Sequence, residues 1–362
     1  MQIARVEVDV LSVPVAQAYG AGGGQVTGNW HVLARVTTRD GVRGHGYVVT
    51  LRETLVAAVA QAARELGAEL LGRHVLEVEA AWAHLARAGA WAGPGGLLHL
   101  AIAPLDIALW DAAGKTLGQP LYRLLGGARD RVPAYASDGL WYSLSPDALA
   151  ESASRHVKAG YRALKLRLGH EATPAAEVAR VRAVRDAVGP DVQIMVDATE
   201  SWPLARAQAA GRALADAGIA WLEDPVHHED LAGLAGLARE LPVPVATGEH
   251  LYTLAEFHRL LEARAADVMI IDLGRAGGIT PWRHAAALAR PHRVPVCGHV
   301  IPEVHVHLLA AIPQGHLVEN VPRSEAILQG MPALEDGALV APRGPGLGIE
   351  LDDAAVARYR VG

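Results

Sequence analysis

Three short acidic phrases recur at even intervals in the second half of the chain: Met195-Val196-Asp197, Trp221-Leu222-Glu223-Asp224-Pro225 and Thr247-Gly248-Glu249-His250. In each, a carboxylate follows a short apolar run, where a buried strand would end and a loop begin. The gaps from 197 to 223 and from 223 to 249 are both 26 residues, about the length of one strand–helix repeat. Three carboxylates brought to one rim by such a repeat form a hard, all-oxygen site suited to Mg²⁺.

The elements that must carry these residues follow from the hydrophobic pattern. From Val132 onward, apolar runs appear at Val132–Tyr135, Ala163–Leu168, Gln193–Val196, Ala220–Leu222, Val243–Ala246, Val268–Ile271, Val294–Cys297 and Leu317–Val318. Helix-period stretches such as Ala175–Val188, Pro203–Ala217 and Leu254–Arg264 separate most of them. Eight short runs alternating with helices predict a (β/α)8-type barrel of parallel strands. The residues that close or follow those runs would converge on one mouth. In chain order they are Lys165 and Arg167, Asp197, Glu223, Glu249, Asp272, His299 and Glu319.

The first part of the chain has a different pattern. Ile3–Val10 and His31–Thr37 alternate with period two, and Asp40-Gly41 closes a turn, which predicts antiparallel strands. Between them, residues 18–29 hold five glycines without a helical or strand period; a mobile lid loop is expected there. Residues 53–125 are Ala-rich and helical in period. The expected domains are therefore an α+β cap at 1–127, a barrel at 128–325, and a C-terminal segment at 326–362 that returns to the cap.

Bulk composition excludes several classes of function. A net charge of −6 gives no electrostatic reason to expect nucleic acid or an acidic membrane surface as partner. The single Cys297 allows no internal disulfide and no thiolate metal cluster. No uninterrupted apolar run reaches the roughly 20 residues of a membrane span. The N-terminus lacks a signal-peptide core, so a cytoplasmic protein is the expectation.

The ordered set of phrases resembles the enolase superfamily, specifically the mandelate racemase subgroup (the mandelate racemase/muconate lactonizing enzyme family). It is carried by Gly160–Arg167, Met195–Asp197, Trp221–Pro225, Thr247–Thr253, Asp272–Thr280 and His299–Glu303. The resemblance implies that Asp197, Glu223 and Glu249 ligate Mg²⁺, and that His299 is a general base or acid oriented by Asp272. It implies that Glu319 is a protonated hydrogen-bond donor to a substrate carboxylate, and that Lys165 is the first lysine of the Lys-x-Lys motif. It also implies a small-molecule carboxylate partner and a homo-oligomer, a dimer or an octamer.

Removing a proton next to a carboxylate creates an enediolate, and cations at its two oxygens stabilise charge that exists only in the transition state. The chain departs from the family pattern where the second motif lysine is Arg167, which cannot lose its proton at neutral pH. Two-base racemisation is thereby put in doubt: either Lys165 serves as the second base or one base suffices. With one base, dehydration of an acid sugar or other hydroxy acid is expected. The alternatives are a racemase or epimerase of a 2-hydroxy acid and a metal-bound but catalytically silent binding protein. A second departure is Thr199, where relatives commonly carry Asn. Specificity is expected from Tyr19, Gln25, Thr27, Asn29 and Trp30 of the glycine-rich segment and from Ser137, Asp138, Trp141 and Tyr142 after the first barrel strand.

Overall fold

The structure is a computed structural model that describes residues 1–21 and 24–361. Its first element group is an antiparallel sheet of β1 (Ile3–Ala21), β2 (Gly24–Thr38) and β3 (Arg43–Thr50), followed by helices α1 (Val56–Ala68), α2 (Val78–Ala88) and α3 (Gly96–Leu117). Strand alternation sends successive side chains to opposite faces, and here both faces are covered. Val32, Ala34, Val36 and Val48 face the helices, whereas Leu11, Val13, Leu33 and Tyr47 join the core shared with the barrel. The cap is thus welded to the barrel through its sheet. The Tyr47 hydroxyl donates to Glu303 of the barrel across that joint.

Helix α3 is long and apolar enough to cross a membrane, and 83% of its apolar stretch is buried inside the protein. It lies directly on β3 because Gly44 and Gly46 offer no side chain there. A Cβ at position 46 would come within 2.4 Å of the Pro104 carbonyl and 2.5 Å of the Ala108 nitrogen.

Eight parallel strands follow: β4 (Arg131–Ala136), β5 (Ala163–Arg167), β6 (Gln193–Asp197), β7 (Leu222–Glu223), β8 (Val245–Thr247), β9 (Val268–Asp272), β10 (Val296–His299) and β11 (Gly315–Asn320). Pairing of β11 with β4, with Val318 opposite Ala134 and Asn320 opposite Ala136, closes the barrel. Each strand falls on one of the eight apolar runs. Helices 146–158, 174–188, 204–215, 231–240, 254–262, 279–292 and 302–311 connect them. After β11 the chain forms a 3-10 turn (Glu325–Ile327), short strands and a terminal helix (Asp353–Tyr359). Ala338–Val340 pairs antiparallel with β4, the Leu347 amide donates to Asp111 of α3, and Val361 donates to Val10 of β1. The tail therefore stitches barrel and cap together.

The 18–29 segment differs from the expected loop. β1 and β2 continue as a paired ladder, Tyr19 opposite Val26 and Ala21 opposite Gly24, with an irregularity between Pro14 and Tyr19. Residues 22 and 23, part of the expected lid, lie outside the described residues. Glycines carry no side-chain period, and the ladder is made by backbone groups, so the pattern hides the strand. Val26 is buried against Trp141, with Tyr19 and Leu51 packed beside it. The hairpin arm is docked on the barrel mouth.

A Gly46→Ala substitution should overpack the α3–β3 contact and cost about 1–3 kcal/mol. Thermal unfolding measures it, and an unchanged melting temperature would refute this account of how the cap is packed.

Candidate active site

The parallel register places the charged residues on one rung at the C-terminal ends of the strands. Arg167 is opposite Asp197, Asp197 opposite Glu223, Asp272 opposite His299, and Glu319 opposite Tyr135. Beneath them the barrel interior is an apolar plug of Tyr135, Met195, Trp221, Ala246, Ile270 and Cys297. The rim is therefore cut off from water on its inner side, and charge interactions there are stronger than at a surface. Burial also pushes the Cys297 thiol up to about 12, so it stays protonated.

Lys165 is fully buried and surrounded by acid. Its Nζ lies 2.5 Å from Glu223 Oε1, 3.0 Å from Glu319 Oε1 and 3.8 Å from Asp197 Oδ2. Burial opposes its charge, but Glu223, Glu319 and Asp197 overcome it and hold the ammonium well above the ordinary lysine range. Arg167, two residues on and on the same strand face, places Nη1 3.1 Å from Asp197 Oδ2. Glu223 is oriented from below as well, because Trp221 Nε1 donates to its Oε2 at 3.0 Å.

His299 Nδ1 is 2.6 Å from Asp272 Oδ2, while its Nε2 faces Glu249 Oε2 at 3.4 Å and Glu319 Oε2 at 3.9 Å. Asp272 is fixed in turn, since the Arg275 amide donates to its Oδ1 at 2.7 Å. Burial disfavours an imidazolium, but Glu249, Asp272 and Glu319 together raise the His299 pKa. Asp272 orients the ring and leaves Nε2 aimed at the mouth. Strain concentrates at the same rim: Thr199, Glu200, Asp224, Val300 and Ile301 all have positive φ without being glycine. Such conformations persist only where surrounding structure enforces them.

Glu319, expected as a protonated donor, stands beside Lys165 and His299 and accepts from the Val300 amide. Burial favours its neutral form, yet Lys165, His299 and Arg167 hold it down to about 2. Asp197 and Glu223 go the other way, raised by burial and by neighbouring acids including Glu249. Too many carboxylates share one dry rim for the cations of the chain to balance them.

Those residues fit a divalent cation. The donors are all oxygen, they come from three adjacent strand ends, and Asp197 Oδ2 and Glu249 Oε2 are buried with no hydrogen bond, facing the ion-pair partners Arg167 and His299. Glu223 spends Oε1 on Lys165 and Oε2 on Trp221, so it joins a metal site only by giving up or sharing one of those bonds. Two further groups, Glu200–His228–His250 and Asp224–Glu249–His250, bring ligand-type atoms together beside the rim. His250 is committed elsewhere: its Nδ1 accepts from Arg275 Nη1 at 2.9 Å, which leaves Nε2–H for Asp224 at 3.4 Å. Glu200, His228 and Arg275 carry no spacing signal and were not legible as site neighbours.

The expected specificity residues divide. Tyr19 stacks on Trp141 at 4.4 Å, and both line a cavity of about 690 Å³ between cap and barrel with Asn29 and Asp138. Trp30 does not: its ring packs against the core of the cap, because strand alternation turns Asn29 and not its neighbour toward the cavity. Ser137 is fully buried with an unpartnered hydroxyl. Gln25 and Thr27 are exposed, and Tyr142 stacks on His170. Thr199 serves the rim through its amide, which donates to Asp197 Oδ1 at 2.7 Å.

Comparison with known proteins agrees with this architecture. Residues 2–126 match the mandelate racemase/muconate lactonizing enzyme N-terminal domain, and residues 148–355 match the enolase C-terminal domain-like model. The chain belongs to the mandelate racemase/muconate lactonizing enzyme family of the enolase superfamily. It is 33% identical to the 3,6-anhydro-α-L-galactonate cycloisomerase of Streptomyces coelicolor, over 91% of each chain. It is also 33% identical to the L-talarate/galactarate dehydratase of Salmonella typhimurium, over 95% of this chain and 87% of the relative. The crystal structure of L-talarate dehydratase from Polaromonas, complexed with Mg and L-glucarate, superposes with a TM-score of 0.93 at 33% identity, covering 100% of this chain and 98% of that one.

Calorimetric titration with Mg²⁺ should show a bound ion, and Asp197→Asn should weaken it by at least the roughly 10–100-fold that outer-shell partners alone are worth. Undiminished affinity in that variant would remove Asp197 from the ligand set.

Proposed function

We propose that this chain is a Mg²⁺-dependent lyase that removes the proton α to a carboxylate and expels water from the adjacent carbon, acting on an acid sugar. One observation carries the choice of reaction: among the described residues, the imidazole that faces both Glu249 and Glu319 and is oriented by a carboxylate is that of the His299–Asp272 pair. Racemisation needs a second base on the opposite face of the α-carbon. Lys165 is locked as an ammonium among Glu223, Glu319 and Asp197, and Arg167 cannot deprotonate.

In this reading His299 Nε2 takes the α-proton, and the electron pair of the broken C–H bond moves onto the carboxylate as an enediolate. Collapse of the enediolate breaks the bond to the β-hydroxyl. The imidazolium returns its proton to that hydroxide as it leaves as water, and the resulting enol tautomerises to a 2-keto acid. Asp272 keeps the ring in the tautomer and orientation that both transfers need. Lys165 and Arg167 supply fixed positive charge to the carboxylate end. Mg²⁺ held by Asp197, Glu223 and Glu249 would add a dication to the same oxygens. Glu319 begins as a carboxylate beside Lys165; a substrate carboxylate brought against it raises its pKa by like-charge repulsion and turns it into the donor of the family pattern.

The dehydratase and cycloisomerase activities named for the relatives support this class of chemistry. Replacing His299 with Asn should lower kcat by roughly 10²–10⁴-fold while leaving Mg²⁺ affinity intact. Turnover that survives the substitution would strip His299 of the base role.

A further inference from the structure

The turn that carries Asp272 is held from outside the barrel. It runs from the end of β9 through a single helical turn, Leu273–Ala276, and then through Gly277-Gly278 into the barrel helix Ile279–His292. That helix has no capping side chain of its own, because Gly278 occupies the N-cap position. The first N–H groups of a helix must then find acceptors elsewhere. Asp106, in the middle of α3 and fully buried, supplies them from the cap. Its Oδ2 accepts from the Thr280 amide at 2.9 Å, and its Oδ1 accepts from the Thr280 hydroxyl at 2.6 Å. The approach is close enough to require glycine at 278, where φ is +109° and a Cβ would come within 2.4 Å of Asp106 Oδ2.

The grip extends along one stripe of α3. His99, Asp106 and Trp110 recur at helical spacing and share a face. His99 Nδ1 donates to the Arg275 carbonyl at 3.1 Å, and Trp110 Nε1 donates to the Thr280 hydroxyl at 2.9 Å. From α2, Trp82 Nε1 donates to the Gly277 carbonyl at 2.9 Å. The cap therefore bonds to Arg275, Gly277 and Thr280, all on the segment that begins with the dyad carboxylate. At its other end the Arg275 amide holds Asp272 Oδ1, and Asp272 Oδ2 holds His299 Nδ1.

We propose that Asp106 is a positioning residue for the His299–Asp272 pair: through this buried side chain the cap fixes the turn that aims the base. The proposal rests on the lyase reading in taking His299 as that base. Asp106 acts through the turn alone. Proton transfer needs hydrogen-bond reach and alignment, so a small displacement of the imidazole slows the chemical step. The metal carboxylates Asp197, Glu223 and Glu249 stand at the ends of three other strands and are not carried by this turn.

The test measures kcat and KM at saturating Mg²⁺ for the wild type, Asp106→Asn, Thr280→Val, Asp272→Ala and the double variant Asp106→Asn/Asp272→Ala. Asp106→Asn keeps the shape but replaces one acceptor by a donor. It should lower kcat on the order of 100-fold with KM nearly unchanged. Thr280→Val removes only the hydroxyl and should lower kcat in the same direction by less, which keeps the proposal testable if Asp106→Asn misfolds. In the Asp272→Ala background Asp106→Asn should cost nothing further, because the link through Asp272 is already cut. Equal loss in both backgrounds, or a loss matched by the fall in folded fraction seen by circular dichroism, would make Asp106 a structural cap only and overturn the proposal. Unchanged kcat in either single variant, Asp106→Asn or Thr280→Val, would overturn it too, while the lyase reading stands. If the wild type forms no keto acid, the lyase reading fails and the same variants are compared by α-proton exchange into D₂O. Absence of that exchange in the wild type removes the base and this proposal together.

Discussion

Lys165 is a buried ammonium held between Glu223 and Glu319 on the last rung of the barrel, and the rest of the site is arranged around that contact. A charge this deep persists only because acid surrounds it. Its carboxylates in turn stand over a plug of aromatic and aliphatic side chains that keeps water from screening them. The rim carries more acid than its cations balance, which is a strained state for a protein and a receptive one for a divalent metal and a substrate. Stored strain is visible in the backbone too, in the positive φ of Thr199, Glu200, Asp224, Val300 and Ile301 immediately after strand ends.

From that contact follows the asymmetry of the site. Lys165 and Arg167 place two cations on one side of the rim, against Glu223, Glu319 and Asp197. The opposite side carries the His299–Asp272 pair, whose 2.6 Å contact is itself anchored by the Arg275 amide. Chemistry that takes a proton and gives it back on one face suits this division of labour. The cap closes over the barrel beside it, bringing Tyr19 onto Trp141 and both Tyr19 and Asn29 onto Arg323.

Much of this was legible in the chain. Each rim carboxylate closes an apolar run, and parallel register converts an even spacing of 26 residues into a shared rung, so strands and rim could be read together. The hairpin arm at 18–29 could not, because its glycines carry no alternation while its ladder is built from backbone groups. The direction of Trp30 could not be read for a related reason: adjacent residues on a strand face opposite ways, and its ring packs on the cap core. The ionisation of Glu319 depends on how close Lys165 stands, a distance no spacing encodes. Arg323 carried no spacing signal because it follows β11 in an irregular segment, and only the folded cap shows its hydrogen bonds to Tyr19 and Asn29.

The most direct test of single-base chemistry is turnover in D₂O with the acid sugar found to be a substrate, followed by NMR of both product and recovered substrate. One-faced proton transfer predicts a 2-keto acid labelled by solvent, with recovered substrate that keeps its α-configuration. Recovered substrate inverted and deuterated at the α-carbon would show a working base on the Lys165–Arg167 side and contradict the account.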